Sequence, residues 1–194
     1  MSASGMGKRI VVLTAPSGAG KTTIAKRVTE AIPELEFSVS ATTRPRRPHE
    51  RDGVDYHFID RARFDDLIRS GEMLEFEEVY PGRFYGTLRS EVESKAARGP
   101  VLLDIDVRGA GRIKDLYGDD ALIVFVRPPS EEELERRLRN RATEDEETIR
   151  VRLERARKEL RFADSDRCDA VVLNDDLEQA VAETLRLIRR FLDD

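Results

Sequence analysis

A glycine-rich stretch near the start of the chain has the residue types and the spacing that bind phosphate. It reads Ala15-Pro-Ser-Gly-Ala-Gly-Lys-Thr-Thr23 and follows an apolar run, Ile10–Leu13, after one residue, Thr14. The apolar run predicts a strand, and the residues after the glycines predict a helix. Because glycine adopts left-handed backbone angles without strain, Gly18 and Gly20 allow consecutive N–H groups to point at one anion. The pattern is a P-loop and predicts binding of a nucleoside triphosphate, with Ala15 where the first glycine usually lies.

The two residues after these glycines add the chemistry that phosphoryl transfer needs. Lys21 is long enough to reach the β- and γ-phosphates, and the hydroxyl of Thr22 is a ligand for Mg²⁺. The helix predicted from about Thr22 also directs the positive end of its dipole at the phosphates. The residues of the loop predicted to bind ATP are Ala15, Pro16, Ser17, Gly18, Ala19, Gly20, Lys21, Thr22 and Thr23.

Composition and charge narrow the class of protein. The 194 residues include 38% charged side chains but carry a formal net charge of only −5. This balance argues against a protein held on nucleic acid by bulk charge. Cys168 is the one cysteine, so no internal disulfide is expected, and a reducing compartment is predicted. Residues 1–8 are predicted to be a flexible tail without a hydrophobic leader, and no apolar run reaches the roughly 18 residues that span a membrane. We expect a cytoplasmic enzyme.

Continuous apolar runs predict the strands of the core. They are Arg9–Thr14, Val101–Ile105, Ala121–Val126 and Ala170–Leu173. Strands without polar alternation are covered on both faces, as in a parallel sheet flanked by helices. A last helix is predicted from the apolar face formed by Leu177, Val181, Leu185, Ile188 and Leu192. The sequence therefore predicts an α/β fold with a P-loop NTPase core. One domain, 9–194, is predicted to have this core at 9–37, 98–129 and 161–194.

Two segments interrupt the alternation of strands and helices. Residues 38–97 contain short alternating pieces and Gly/Pro turns, which predict a small antiparallel sheet. Residues 130–160 are dense in charge and predict two helices. Capping boxes, which mark helix starts, occur at Ser90/Glu93, Ser130/Glu133 and Thr143/Glu146. The charged helical pair is either a solvated, salt-bridged face or, beside a nucleotide site, a mobile lid.

Further motifs follow the P-loop in a fixed order. They are Ser38–Arg47, Asp52–Phe58, Gly71–Glu75, Phe84–Thr87, Leu103–Asp106, Arg127–Ser130, Arg137–Arg141 and Asn174–Leu177. Together with the P-loop, these motifs resemble the guanylate kinase family from about residue 9 to the end of the sequence. The resemblance implies a kinase that uses Mg²⁺ to convert ATP and GMP, and also dGMP, to the diphosphates. It also implies a GMP-binding segment at 38–97 and a lid at 130–160.

The resemblance assigns recognition of the acceptor base to carboxylates and hydroxyls. Strand alternation in Leu74–Glu77 separates Glu75 from its apolar neighbours. By resemblance, the Glu75 carboxylate accepts the adjacent N1–H and amino donors of guanine, with the hydroxyls of Ser40 and Thr87 near O6. By resemblance also, Asp106 adds a contact to the amino edge. Adenine presents a lone pair where Glu75 requires a donor, and such a polar mismatch discriminates by about 10⁴ or more.

For the acceptor phosphate, the resemblance implies Arg44, Arg47, Tyr56 and Tyr85. Guanidinium groups form paired hydrogen bonds to phosphate, and the tyrosine hydroxyls add neutral donors. Without the motifs, the tyrosines fit equally well as core aromatics. A general base is unnecessary, because a phosphomonoester has a second pKa near about 6 and is mostly a dianion at neutral pH.

Catalysis on this reading depends on alignment and on neutralising charge between two polyanions. The residues expected to do so, with Mg²⁺, are Lys21, Arg44, Arg137, Arg141 and Arg152. The last three belong to the predicted lid, where Arg137 and Arg141 are four apart and share one helix face. Without nucleotide, the lid arginines are expected to be solvated. By resemblance, Asn174 is expected to contact ATP.

Asp104 and Asp106 close the same apolar run two residues apart and therefore lie on one face of the strand. By resemblance, Asp104 holds Mg²⁺ through water, beside the Thr22 hydroxyl. The alternative is that both aspartates cap the helix that follows the strand.

Two other functions fit parts of the pattern. A kinase of the same architecture with another phosphate-bearing acceptor is one, and Glu75 with Ser40 and Thr87 argues against it. A non-catalytic guanylate-kinase-like binding module is the other, and the presence of Lys21 and Thr22 argues against that. The predicted partners are ATP and GMP, with no nucleic acid and no membrane.

Overall fold

The strands of the protein form two sheets, and the larger contains all four predicted apolar runs. The computed structural model describes residues 10–140 and 146–193. In chain order its strands are β1 (Ile10–Thr14), β2 (Glu36–Phe37), β3 (Ala41–Thr42), β4 (His57–Phe58), β5 (Met73–Tyr80), β6 (Arg83–Leu88), β7 (Val101–Asp104), β8 (Ala121–Arg127) and β9 (Ala170–Leu173). The larger sheet has the order β2-β7-β1-β8-β9, with parallel pairing throughout. The α/β prediction is confirmed, although the apolar runs do not predict the two-residue β2.

Helices cover both faces of this parallel sheet. They are α1 (Lys21–Ala31), α2 (Arg61–Arg69), α3 (Arg89–Ala96), α4 (Val107–Tyr117), α5 (Glu131–Arg139), α6 (Glu146–Leu160) and α7 (Leu177–Asp193). Val11 and Leu13 of β1 lie in one apolar cluster with α1 and α7, whereas Ile10 and Val12 lie in another with α3 and α4. None of these four side chains is more than 1% exposed. Burial on both faces explains the continuous apolar sequence.

The predicted docking of the last helix on the core is confirmed. Val181 and Ile188 of α7 are buried in the cluster that contains α1. Leu177, Leu185 and Leu192 are partly buried and pack against the same cluster. The apolar face of α7 therefore completes one side of the core.

The smaller sheet lies within residues 38–97 and has the order β4-β3-β6-β5. β6 pairs antiparallel with both β3 and β5, but β3 and β4 are parallel, so the sheet is mixed and not wholly antiparallel. Helix α2 covers it with Phe64, which is buried beside Ala41 and Met73. The sheet therefore has a separate apolar core and can present polar side chains on its other face.

The two charged helices, α5 and α6, share a small apolar cluster of their own. Leu134 and Leu138 of α5 pack against Ala156 of α6, and Leu153 is partly buried beside them. The cap of α5 is confirmed, since the Ser130 hydroxyl accepts a hydrogen bond from the backbone N–H of Glu133 at 3.1 Å. The pair is thus a packed unit as well as a charged surface.

The capping box predicted at Ser90 is wrong. β6 ends at Leu88 and α3 begins at Arg89, so Ser90 already lies in the first turn, and no side chain caps the helix. The box predicted at Thr143 lies outside the described residues, and the division of the chain into core, acceptor segment and lid stays a prediction. Across residues 10–140 and 146–193, no helix combines the length and apolar character needed to cross a membrane.

Candidate active site

A polar cavity of about 420 Å³ lies beside the P-loop and brings most predicted site residues together. Those that line it are Ala15, Pro16, Ser17, Gly18, Gly20, Lys21, Thr22, Thr23, Ser40, Arg44, Arg47, Tyr56, Glu75, Tyr85, Asp104, Asp106 and Arg152. The lining also contains residues that the sequence did not single out, namely Glu77, Val79, Arg83, Gly86, Ile105, Arg155 and Glu159. The cavity joins the P-loop end of the parallel sheet, the smaller sheet and α6.

The P-loop has the backbone conformation that its glycines predict. Gly18 and Gly20 have φ angles of 95° and 94°, in the left-handed region. A side chain at Gly20 is excluded for a second reason, because a Cβ there would lie 2.3 Å from the amide nitrogen of Asn174. That amide donates to the carbonyl of Ala19 at 2.7 Å. Ala19 of the loop and Asn174 are both buried, so Asn174 supports the P-loop from behind and does not line the cavity.

Lys21, Thr22 and Asp104 meet where β1 and β7 end. Leu13 of β1 is paired with Asp104 of β7, which places the aspartate beside the start of the loop. The Lys21 ammonium forms an ion pair with Asp104 and donates to the Ile105 carbonyl at 2.8 Å. The Thr22 hydroxyl donates to the other oxygen of Asp104 at 3.1 Å. A cation, a hydroxyl and a carboxylate therefore face the cavity from one corner.

Glu75 lies in a buried polar pocket on β5. β5 and β6 pair Glu75 with Thr87 directly, and the Thr87 hydroxyl donates to Glu75 Oε1 at 2.6 Å. Glu75 is only 5% exposed, and this burial raises the pKa of its carboxyl to about 7, with the nearby Asp106 adding to the rise. Thr87 is fully buried, so it supports Glu75 from behind, while Ser40 lines the cavity.

Asp106 is both a helix cap and a cavity residue. Its Oδ1 accepts hydrogen bonds from the backbone N–H groups of Arg108 and Gly109, at 3.0 and 2.9 Å, and so caps α4. Its Oδ2 accepts from Arg155 at 3.2 Å. The capping alternative therefore holds for Asp106, whereas Asp104 points to Lys21 instead.

Arg44 is fixed in place by Glu50, a residue that sequence reasoning missed. Two hydrogen bonds of 2.7 and 2.5 Å join the Arg44 guanidinium to the Glu50 carboxylate, and both side chains are buried. The Arg44 bond, helped by the backbone N–H of Arg47, lowers the pKa of Glu50 to about 2. The guanidinium also lies 5.0 Å from the centre of the Tyr56 ring, and Tyr56 packs edge-on against Tyr85. Arg44 and both tyrosines thus face the cavity from the smaller sheet.

The three arginines predicted for the lid have different surroundings. Arg152 of α6 lines the cavity and donates to the hydroxyl of Ser17 at 3.4 Å. Arg137 of α5 does not line it, because its guanidinium donates to Glu133 at 2.7 Å and to the carbonyl of Asn174 at 3.1 Å. Arg137 is therefore partly buried and paired, not fully solvated as expected. Arg141 lies outside the described residues.

Arg155 is a cavity residue that the sequence did not single out. It lies three residues after Arg152 on α6 and contacts β5 and Asp106. In an arginine-rich helix, one more arginine does not by itself indicate a functional residue. Only the spacing of three residues from Arg152 indicates that Arg155 lies on the same helix face as Arg152. Glu50 has a clearer signal, since it follows Arg44 and Arg47 within one short loop.

The sequence and the fold are similar to those of known proteins over nearly the whole chain. A family model described as guanylate kinase matches residues 7–191. A guanylate kinase of Salinibacter ruber is 63% identical over 185 residues, which are 95% of this chain and 97% of that protein. A guanylate kinase of Chlorobium luteolum is 50% identical, with 95% and 92% covered. The crystal structure of guanylate kinase from Anaplasma phagocytophilum has a TM-score of 0.75 at 33% identity, covering 96% of this chain and 87% of that chain.

Proposed function

The chain belongs to the guanylate kinase family, and from that premise we infer that it transfers the γ-phosphoryl group of ATP to GMP, giving ADP and GDP. One observation supports this function above the others. A P-loop carrying Lys21 and a buried carboxylate, Glu75, open into the same cavity. A triphosphate site and a site for a hydrogen-bonding base can therefore be occupied side by side.

We propose that the acceptor base binds at Glu75. An ionised carboxylate accepts the N1–H and the amino group of guanine together, whereas adenine presents a lone pair at the first position. Because Glu75 is 5% exposed, a mismatched base would leave its buried carboxylate without the two donors that guanine supplies, which is costly. Thr87 stays bonded to Glu75 Oε1 and orients the carboxylate, while Ser40 faces the cavity as a further hydroxyl.

The acceptor phosphate is proposed to bind at Arg44, Arg47, Tyr56 and Tyr85. Arg44 retains its charge and its orientation through Glu50, so little side-chain freedom is lost when the phosphate binds. The phosphate of GMP is mostly a dianion at neutral pH, and it attacks without a general base. The role of these side chains is to hold an oxygen in line with the γ-phosphate while offsetting the repulsion between the two anions.

We propose that Mg²⁺ binds with ATP beside Thr22 and Asp104. Their hydroxyl and carboxylate oxygens lie 3.1 Å apart and line the cavity, and Mg²⁺ prefers such oxygen ligands, keeping several waters. No group of three or more His, Cys, Asp or Glu side chains that could hold a metal occurs within 10–140 and 146–193, in keeping with an ion shared with substrate phosphates. When bound, Mg²⁺ supplies neutralisation of charge on the transferred phosphoryl group. Lys21 then exchanges its contact with Asp104 for the phosphates.

We propose that the lid, residues 130–160 with α5 and α6, completes the phosphate site by covering the P-loop. Arg152 already lies near Ser17 of the P-loop, and α5 reaches the loop through Leu134 and Leu138, which lie close to Gly18. Lid arginines that approach both phosphate chains would stabilise the charge of the transition state and exclude water from the γ-phosphate. Arg137 and Arg141 are assigned to the same task by their family motif.

A coupled assay of ADP release tests the function. With ATP and Mg²⁺, we expect turnover with GMP and dGMP, and turnover lower by about 10⁴ with AMP, UMP, CMP or dTMP. Equal or faster turnover with another monophosphate would favour a kinase with a different acceptor. Binding of GMP without any ADP release would favour a non-catalytic binding module.

A further inference from the structure

Arg155 of α6 joins three separate parts of the cavity wall. Its Nε donates to Glu159 at 2.6 Å, its Nη1 to the carbonyl of Val79 at 2.7 Å, and its Nη2 to Asp106 Oδ2 at 3.2 Å. Val79 belongs to β5, the strand that carries Glu75. One guanidinium therefore connects the lid helix, the base-binding strand and the carboxylate that caps α4.

Asp106 links Arg155 to the surroundings of Glu75. Its Oδ1 is held by two N–H groups at the start of α4, one of them from Gly109. Gly109 also lies against Glu75, since a Cβ at that position would be 2.5 Å from Glu75 Oε2. Asp106 and Glu75 are thus neighbours separated by a single glycine, and both line the cavity. The carboxylates of Glu75 and Asp106 can therefore both accept hydrogen bonds from a base that has two adjacent donor groups.

Several carboxyl groups lie near Arg155 on this wall of the cavity, and a cation among them offsets their mutual repulsion. Glu75, Asp106 and Glu159 bring three carboxyl groups to one wall of the cavity. Glu159 is 8% exposed, and burial raises the pKa of its carboxyl. The Arg155 guanidinium, which donates to Asp106 Oδ2, holds this carboxylate turned toward the cavity, where repulsion from its neighbours would otherwise favour another rotamer. Arginine suits the position because its planar fork serves three acceptors that lie in different directions.

We propose that Arg155 is a specificity-determining positioning residue, which holds Asp106 so that its carboxylate accepts the exocyclic amine of guanine. This inference rests on the proposed function of the same site. It implies that Arg155 sets the preference for GMP over inosine monophosphate, IMP, whose base has the same N1–H and the same O6 but lacks that amine. Loss of Arg155 weakens recognition of the amine and leaves recognition of the shared groups to Glu75 and Ser40.

The test is kcat/KM for GMP and for IMP in the wild type, in Arg155→Ala and in a matched control, Arg157→Ala. Arg157 lies on the same helix and is bonded to Glu131 of α5 at 2.8 Å, away from the cavity. For Arg155→Ala we expect kcat/KM with GMP to fall by about tenfold or more, mainly through KM, because a hydrogen bond to a charged group is lost. With IMP we expect a change within about twofold, and for Arg157→Ala no change of the GMP-to-IMP ratio beyond that range.

Two further variants keep the test decisive. Arg155→Lys retains a positive charge beside Glu159, so this variant should fold even if Arg155→Ala fails to fold. Lysine cannot serve all three acceptors, so the GMP-to-IMP ratio of kcat/KM should lie between those of the wild type and Arg155→Ala. In an Asp106→Asn background, Arg155→Ala should leave the ratio unchanged, because the two residues act as one unit. An equal fall for GMP and IMP in the Arg155 variants would overturn the inference and leave Arg155 a structural contact. A wild type that does not phosphorylate GMP would instead refute the proposed function.

Discussion

The two sides of the cavity are built in different ways. On the triphosphate side, most of the lining comes from one continuous segment, 15–23, and its left-handed glycines orient backbone N–H groups. On the acceptor side, the lining comes from side chains on β5, β6, the loops around β3 and the end of β7. The triphosphate side is formed mainly by one turn of the chain, whereas the acceptor side forms only when several strands and loops pack together.

This difference extends to how each functional group is held. Backbone N–H groups of a P-loop are oriented mainly by the turn itself, here with Asn174 behind it. Glu75, Arg44 and Asp106 on the acceptor side are each held by a partner side chain. Thr87 holds Glu75, Glu50 holds Arg44, and Arg155 reaches Asp106 from α6. We therefore expect binding of the triphosphate to depend mainly on one local turn, and binding of the acceptor to depend on contacts between side chains of several elements.

Lys21→Met tests the triphosphate side by itself. We expect kcat to fall by about 10³-fold, because the ammonium acts on oxygens whose charge changes during transfer. The dissociation constant for GMP, measured by calorimetry without ATP, should stay within about threefold. Lys26→Met, an exposed position on the same helix, is the control and should retain full activity. Near-normal turnover of the Lys21 variant would refute the P-loop mechanism.

Glu75→Gln tests the acceptor side. The amide keeps the size of the side chain but places a donor where guanine requires an acceptor. We expect kcat/KM for GMP to fall by an amount that corresponds to a loss of about 2–4 kcal/mol of transition-state stabilisation. The affinity for ATP should not change. Glu72→Gln, at an exposed position just before β5, is the matched control. If GMP kinetics barely change, another residue recognises the base, and the division between the two sides is drawn in the wrong place.

Arg152→Ala tests the lid, which is expected to serve both sides at once. We expect kcat to fall by about 10- to 100-fold, because a charge near both phosphate chains is removed. The melting temperature should change by less than about 2 °C, since the side chain adds little to the core. Arg150→Ala on the same helix, where Arg150 is bonded to Glu147, is the control. A large fall in melting temperature with normal specific activity would make Arg152 a structural residue.

The pH dependence of GMP binding gives the smallest and most selective test. Burial raises the pKa of Glu75 to about 7, and the ionised form is the one that accepts both guanine donors. As the pH falls below about 7, GMP must bind with loss of a proton, so its affinity should fall by up to about tenfold per pH unit. ATP binding should lack this component. Glu75→Gln should lose it too and keep only the titration of the GMP phosphate near about pH 6. An unchanged profile in that variant would show that Glu75 is not the titrating group.

Sequence patterns predicted the parts of this protein that depend on near neighbours along the chain. The four long core strands, the P-loop and the cap at Ser130 were predicted, and the structure confirms them. Ser90 shows the limit, because β6 runs into α3 without the turn that a capping serine needs. Motif resemblance brought Glu75 and Arg44 into consideration, and the structure places both at the cavity.

The sequence could not provide the partners of those residues. Glu50 lies in the same short loop as Arg44, but only the fold shows that the two side chains pair. Arg155, in an arginine-rich helix, looks like a surface residue until the fold places it beside Asp106. The same holds for Asn174, which the motif associates with ATP and the fold places behind the P-loop. Residue type and spacing determine the local backbone conformation of a segment, such as a strand, a glycine turn or a helix cap. Which distant side chain a group contacts depends on how the sheets and α6 pack, and this only the tertiary structure decided.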